Sequence, residues 1–279
     1  MRLVTKYYYI NDIPVIEMIQ DAYDTKKAPL VIFYHGYSNT KDGMMTFGNE
    51  IAKKGFRVIM PDAIHHGERR AYGLDYNTNG LVFFEALKAN VQEFPQIIQY
   101  YKQKDLIQKD YIGVAGMSMG GMTTSLIIAT HPEVSAAVVL MGSPKQDSFN
   151  QWIIDQYTSQ VEMSQPVDQY LIDKIQAFRE FFKQHDLAKH PEAVQSRPLL
   201  FWHSKQDPVV PSRFVEEFID EASQLNDGQH IELHLDESGG HKVPYKEMAR
   251  MAEFFDATLK HDKHDIFKVT EESMVERFG

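Results

Sequence analysis

The feature that most constrains this chain is a series of short apolar runs in which hydrophobic residues follow one another without alternation. "PLVIFY", "FRVIMP", "YIGVAG", "SAAVVLMG" and "RPLLFW" are all of strand length. A strand that does not alternate is buried on both faces, so its sheet must be covered on both sides. The segments between the runs carry apolar positions at helical spacing. They include residues 81–103 (interrupted at Pro95), "GMTTSLIIATHP", about 212–224 and about 245–260, while "GNEIAKKG" reads as a helix end stopped by Gly55. Strand, helix and strand in succession make parallel crossovers. The expected fold is therefore α/β, a mostly parallel, doubly wound sheet. Ahead of it, "KYYYI" and "PVIEMI", separated by "ND", read as a hairpin-like pair, and "HIELHL" reads as a late strand.

A chain of 279 residues suits one large domain, 1–279, with an insertion, better than two independent units. The insertion is expected at about 145–195. Between "VVLMGSP" and "RPLLFW" the helical pattern runs well beyond what a crossover needs, and it is rich in Phe, Tyr, Trp and Gln. It reads as a small helical cap that either meets substrate or only packs. The residues after about 261 follow the last helical pattern and read equally as a docked or a frayed tail.

Composition removes several function classes. The formal charge is −10 and no Lys/Arg cluster forms a phosphate-binding stripe, which speaks against nucleic acid as a partner. The absence of cysteine excludes disulfides, thiolate metal sites and a cysteine nucleophile. "MRLVTKYYYI" lacks the apolar core and small-residue site of a signal peptide, and the longest apolar stretch, "AAVVLM", is too short to span a bilayer. The expectation is a cytoplasmic protein without membrane contact. The oligomeric state is left open.

The chemistry is carried by "GVAGMSMGGM". Ser118 stands in a turn between an apolar strand and a helix, with Gly116 and Gly120 two positions to either side. A strand-to-helix turn this tight strains its central residue and lifts the serine oxygen above the sheet edge. The glycines allow strand and helix backbones to approach each other. A serine hydroxyl needs a general base, and His241 in "HLDESGGHKVP" occupies a loop after a late strand. Asp207 in "FWHSKQDPVVP" follows the preceding strand and is the expected partner of that histidine, ahead of Asp236. The order Ser118, Asp207, His241, each after a strand, is the α/β-hydrolase arrangement. The His-Gly turn in "FYHGYS" would let the Tyr37 N–H, with that of Met119, hold an oxyanion. His35 reads as a structural turn residue.

Together "HGYSNTKDGM", "PDAIHHGER", "GMSMGGM", "HSKQDPVVP" and "GGHKVP" resemble the α/β-hydrolase superfamily over roughly residues 20–260. Within it the chain is similar to the small dienelactone-hydrolase-like and prolyl-oligopeptidase-like esterases. The resemblance implies cofactor-free hydrolysis of small-molecule carboxylic esters. Dienelactone hydrolases proper use a cysteine nucleophile, so their substrate class does not carry over. Nor is peptidase activity implied, since prolyl oligopeptidases also carry a propeller domain.

The same residues also serve thioesters, amides, peptides or acyl transfer, and a non-catalytic ligand-binding member of the fold is the alternative from another class. "DAIHHGERR" follows a strand and so stands at the rim, where His66 and Arg69 are candidates for substrate contact. A structural network among its polar groups is the competing reading. Adjacent histidines on extended chain point opposite ways, so no metal site is expected there. Trp152 in the insertion is a third candidate contact. "HIELH" lacks the glutamate that a zinc-protease helix places after its first histidine. The methionines around Ser118 are expected to fill core gaps.

Overall fold

Each apolar run forms a strand whose successive side chains enter two different cores. The computed structural model describes residues 1–76, 80–160, 169–194, 197–224 and 230–259. Among them the strands are β1 (Leu3–Ile10), β2 (Ile13–Gln20), β3 (Ala28–Tyr34), β4 (Arg57–Pro61), β5 (Ile107–Met117), β6 (Ala136–Leu140), β7 (Leu199–Ser204) and β8 (Ile231–Asp236). They make one sheet in the order β1-β2-β4-β3-β5-β6-β7-β8. From β4 to β8 all neighbours are parallel, and only β2 runs against both of its neighbours. This is the α/β-hydrolase fold.

The helices are α1 (Met45–Lys53), α2 (Leu81–Gln103), α3 (Met119–Thr130), α4 (Gln146–Gln160), α5 (Gln169–His185), α6 (Arg213–Ser223) and α7 (Tyr245–Leu259). On one face Ile32, Val114, Val139 and Phe201 meet Leu87 of α2, Leu126 of α3, Phe182 of α5 and Phe218 of α6. On the other, Val31, Phe33, Val138 and Trp202 meet Ile51 of α1 and Phe255 of α7. Neighbouring residues of one strand thus enter opposite cores. That is why the strands show no polar alternation.

One feature departs from the sequence expectation. The periodicity broken at Pro95 belongs to one continuous helix, α2, with the proline inside it. A proline there removes one backbone hydrogen bond and costs about 3 kcal/mol. Leu87, Val91, Phe94, Ile97, Ile98 and Tyr101 are buried on both sides of it, at roughly 1.5–3 kcal/mol each, so packing holds the helix together. The segment expected as an inserted cap comprises α4 and α5. Phe178 and Phe182 of α5 lie against Phe84 of α2, so this helix belongs to the layer on the sheet. The tail after about 261 lies outside the described residues. No helix among the described residues is long and apolar enough to cross a membrane.

Candidate active site

The turn around Ser118 is built by close backbone approach. Ser118 has φ 54° and ψ −117°, a strained conformation for a residue with a side chain, between the end of β5 and the first residue of α3. A Cβ on Gly116 would run into the backbone of Gly120, and one on Gly120 into the carbonyl of Tyr34 in β3. The turn is pinned by the Ser118 N–H, which donates to Leu140 O of β6 at 2.9 Å, and by the Met122 N–H, which donates to Ser118 O at 2.9 Å.

His241 and Asp207 reach this turn from the loops after β8 and β7. His241 Nε2 lies 2.9 Å from Ser118 Oγ, and His241 Nδ1 lies 2.7 Å from Asp207 Oδ2. Asp207 Oδ1 accepts the N–H groups of Val209 at 2.8 Å and Val210 at 2.9 Å. Burial raises the Asp207 pKa, but hydrogen bonds from His203, His241 and those two amides outweigh it. The carboxyl is held well below the usual carboxylate range. Being ionised, it can only accept, so the imidazole carries its proton on Nδ1 and presents a bare Nε2 to the serine. Asp236, the competing acid, accepts the Ser238 N–H at 3.0 Å and faces Lys246 at 3.8 Å.

The Gly36–Tyr37 turn lies against the serine: a Cβ on Gly36 would stand 3.5 Å from Ser118 Cβ. His35 orients this turn. Its ring is buried, Nε2 accepts the Ala63 N–H at 3.0 Å, and Nδ1–H donates to Gly36 O at 2.7 Å. The Asn39 N–H also donates to Gly36 O, at 3.2 Å. Because the peptide is planar and trans, a fixed Gly36 carbonyl points the Tyr37 N–H the opposite way. Met119 is the first residue of α3, where a backbone N–H has no intrahelical acceptor. Burial lowers the His35 pKa from 6.5 to about 4, so the ring stays neutral as this bonding pattern requires.

The "DAIHHGERR" loop forms a polar network. Lys41, buried in the turn after β3, donates from Nζ to Asp62 Oδ2 at 2.7 Å and to Glu68 Oε1 at 2.5 Å, and from its backbone N–H to Asp62 Oδ1 at 2.8 Å. Arg69 makes a two-pronged pair with Glu93 of α2, at 2.8 and 2.7 Å, and donates to Asp62 O at 3.2 Å. His66 is fully buried, with Nδ1 at 2.9 Å from Ile64 O and its ring stacked on Tyr76. As the chain stands, His66 is enclosed and the Arg69 guanidinium is engaged by Glu93, the structural reading of this loop. Trp152, half-buried in α4, packs on Phe149 and on Phe214 of α6.

The sequence reading missed His203, Ser204 and Lys41. His203 is fully buried in β7, with Nε2 2.7 Å from Val210 O and 3.5 Å from Asp207 Oδ2. The available signal was a polar pair, His203 and Ser204, ending an otherwise apolar strand just before the acid. Lys41 had none, since a lysine in a polar turn reads as solvated.

The chain matches the profile of the prolyl oligopeptidase family across residues 51–262. It belongs to that family. Prolyl oligopeptidase family proteins are hydrolases, and the relatives of this chain agree. It is 32% identical over 255 residues to YitV of Bacillus subtilis (strain 168), a protein whose name calls it an esterase, covering 90% of this chain and 97% of the other. It is 30% identical over 203 residues to Esterase YjfP of Escherichia coli (strain K12), covering 73% of this chain and 78% of the other. Among solved structures it is similar in fold to TT1662 from Thermus thermophilus, with a TM-score of 0.72 at 18% identity, over 94% of this chain and all of the other.

Proposed function

We propose that this member of the prolyl oligopeptidase family is a serine carboxylesterase with Ser118, His241 and Asp207 as its catalytic triad. The observation that carries the reading is the unbroken path from Asp207 Oδ2 to His241 Nδ1 at 2.7 Å and from His241 Nε2 to Ser118 Oγ at 2.9 Å. The ester class draws on the two relatives named as esterases. The substrate is a small-molecule ester, the reaction takes no cofactor, and the site is a cytoplasmic one.

Ser118 Oγ bonds to the ester carbonyl carbon as its proton passes to His241 Nε2. Asp207 stabilises the imidazolium without taking its proton. The Tyr37 and Met119 N–H groups hold the oxyanion, assisted by the positive end of α3, and one such donor is worth roughly 3–4 kcal/mol. The C–O bond to the leaving alcohol then breaks as Nε2 returns the proton to it. Water, activated by the same nitrogen, hydrolyses the acyl-enzyme and frees Ser118.

The test is hydrolysis of p-nitrophenyl esters from acetate to dodecanoate by wild type and Ser118→Ala, with a thioester and an aminoacyl anilide alongside. Ester turnover that exceeds the other two and vanishes in the mutant is expected. Wild-type activity retained in Ser118→Ala, or no ester turnover by either protein, would overturn the assignment.

A further inference from the structure

We infer that Ser204 is a positioning residue for His241: its hydroxyl ties the loop carrying the histidine to the loop carrying the acid. The inference rests on the serine hydrolase reading above. Ser204 is the last residue of β7 and pairs with Asp236, the last residue of β8, so both loops diverge from the same point of the ladder. Its side chain is fully buried. Ser204 Oγ accepts the N–H of Gly240, the residue before His241, at 2.9 Å. The same oxygen accepts the N–H of Gln206, the residue before Asp207, at 3.3 Å. Ser204 O accepts the Asp207 N–H at 3.2 Å. One residue thus holds the backbone beside both the base and the acid.

The need for such a tie comes from the chain that leads to the histidine. Gly239 and Gly240 immediately precede His241, and Gly240 sits at φ +64°. Two glycines in succession are the most mobile backbone a loop can have. The positive φ of Gly240 favours glycine there, and Gly239 lies close against the end of β8, where a Cβ would stand 3.3 Å from Asp236 Cγ. The other restraints lie elsewhere. The Lys205 N–H to Asp236 O bond at 2.8 Å only closes the ladder at the root. The Ser238 N–H to Asp236 Oδ1 bond at 3.0 Å stays within the histidine loop. The Lys205–Glu237 ion pair is exposed, and exposed pairs hold little. Without the Ser204 oxygen, the glycines before His241 lose their side-chain tether, leaving the buried Val243 beyond the histidine and the His241–Asp207 bond to hold the loop.

The Ser204 hydroxyl acts on the backbone beside the base and the acid, so its loss acts on the chemical step. Misplacing a reacting group by about 1 Å lowers the rate on the order of a hundredfold. In Ser204→Ala, kcat for p-nitrophenyl acetate should fall roughly 10- to 100-fold, with KM within about twofold of wild type. The second-order rate of Ser118 labelling by a fluorophosphonate should fall by a similar factor. Both are measured well below the melting temperature of each protein. Ser204→Cys keeps the side-chain size with a much weaker acceptor. It should fall between the two, and it is read in the same way if the alanine variant does not fold. Unchanged labelling and kcat, or a raised KM at unchanged kcat, would overturn the positioning role while leaving the serine hydrolase reading intact. A wild-type protein that the fluorophosphonate does not label at Ser118 would overturn both.

Discussion

His35 makes the fold pH-sensitive in a calculable way. Its ring is buried, accepts the Ala63 N–H on Nε2 and donates from Nδ1 to Gly36 O, so the folded protein binds a neutral imidazole. Burial carries its pKa from 6.5 down to about 4. Between those values the unfolded chain binds more protons than the folded one, so stability falls as pH drops. The contribution is complete above pH 6.5 and is lost by about pH 4. At about 1.36 kcal/mol per pH unit, the full loss is on the order of 3 kcal/mol, of which about 2 kcal/mol is gone by pH 5. His35→Gln has no titrating group there. It should be less stable than wild type at pH 7.5, yet lose about 2 kcal/mol less on going to pH 5. Urea unfolding of both proteins at the two pH values reads this difference, and groups remote from His35 cancel. Equal losses in wild type and variant would refute the reasoning, because they would mean that His35 is protonated in the folded state or open to water.

Two further substitutions separate structural from functional roles. Arg69→Met leaves Glu93 unpaired in a partly buried position, and should lower stability by about 2 kcal/mol with KM for p-nitrophenyl acetate within twofold of wild type. An unchanged urea midpoint together with a raised KM would instead assign Arg69 to the substrate. Phe182→Ala empties a fully buried position in α5 and should cost about 3–5 kcal/mol in urea unfolding. A cost under about 1 kcal/mol would mean that α5 rides free of the core, as a cap would.

The layers of this fold are written locally, which is why they can be read from the chain. Val31 and Phe33 enter one core while Ile32 and Tyr34 enter the other, so the run "PLVIFY" announces a doubly covered strand without reference to anything distant. Ser118, Asp207 and His241 are legible for a related reason, as each stands beside glycines or a turn that follows such a run. What is not legible depends on the meeting of remote segments. Pro95 reads as a helix break until the packing of Phe94 and Ile98 is seen to outweigh it. Arg69 looks like a rim cation until Glu93, a turn and a helix away, occupies its guanidinium. His203 and Ser204 look like the polar end of a strand, because the groups they hold, Val210 O and the Gly240 N–H, are placed by loops whose course no residue type specifies. The β1-β2-β4-β3 order is likewise set by how remote segments pack.

The crossover from β6 to β7, residues 141–198, sits in the middle of the chain and supplies none of the groups assigned to bond-making. The nucleophile turn and the Gly36–Tyr37 turn lie before it, and the acid and base loops after it. An evolving gene can therefore rewrite the exposed positions of α4 while the turns that carry Ser118, Asp207 and His241 keep their place. The core-facing side chains of the crossover, Phe149 of α4, Phe178 and Phe182 of α5, and Leu187 and Val194 beyond them, resist such change. The proposed chemistry and this crossover occupy separate stretches of text, and the second can drift without erasing the first.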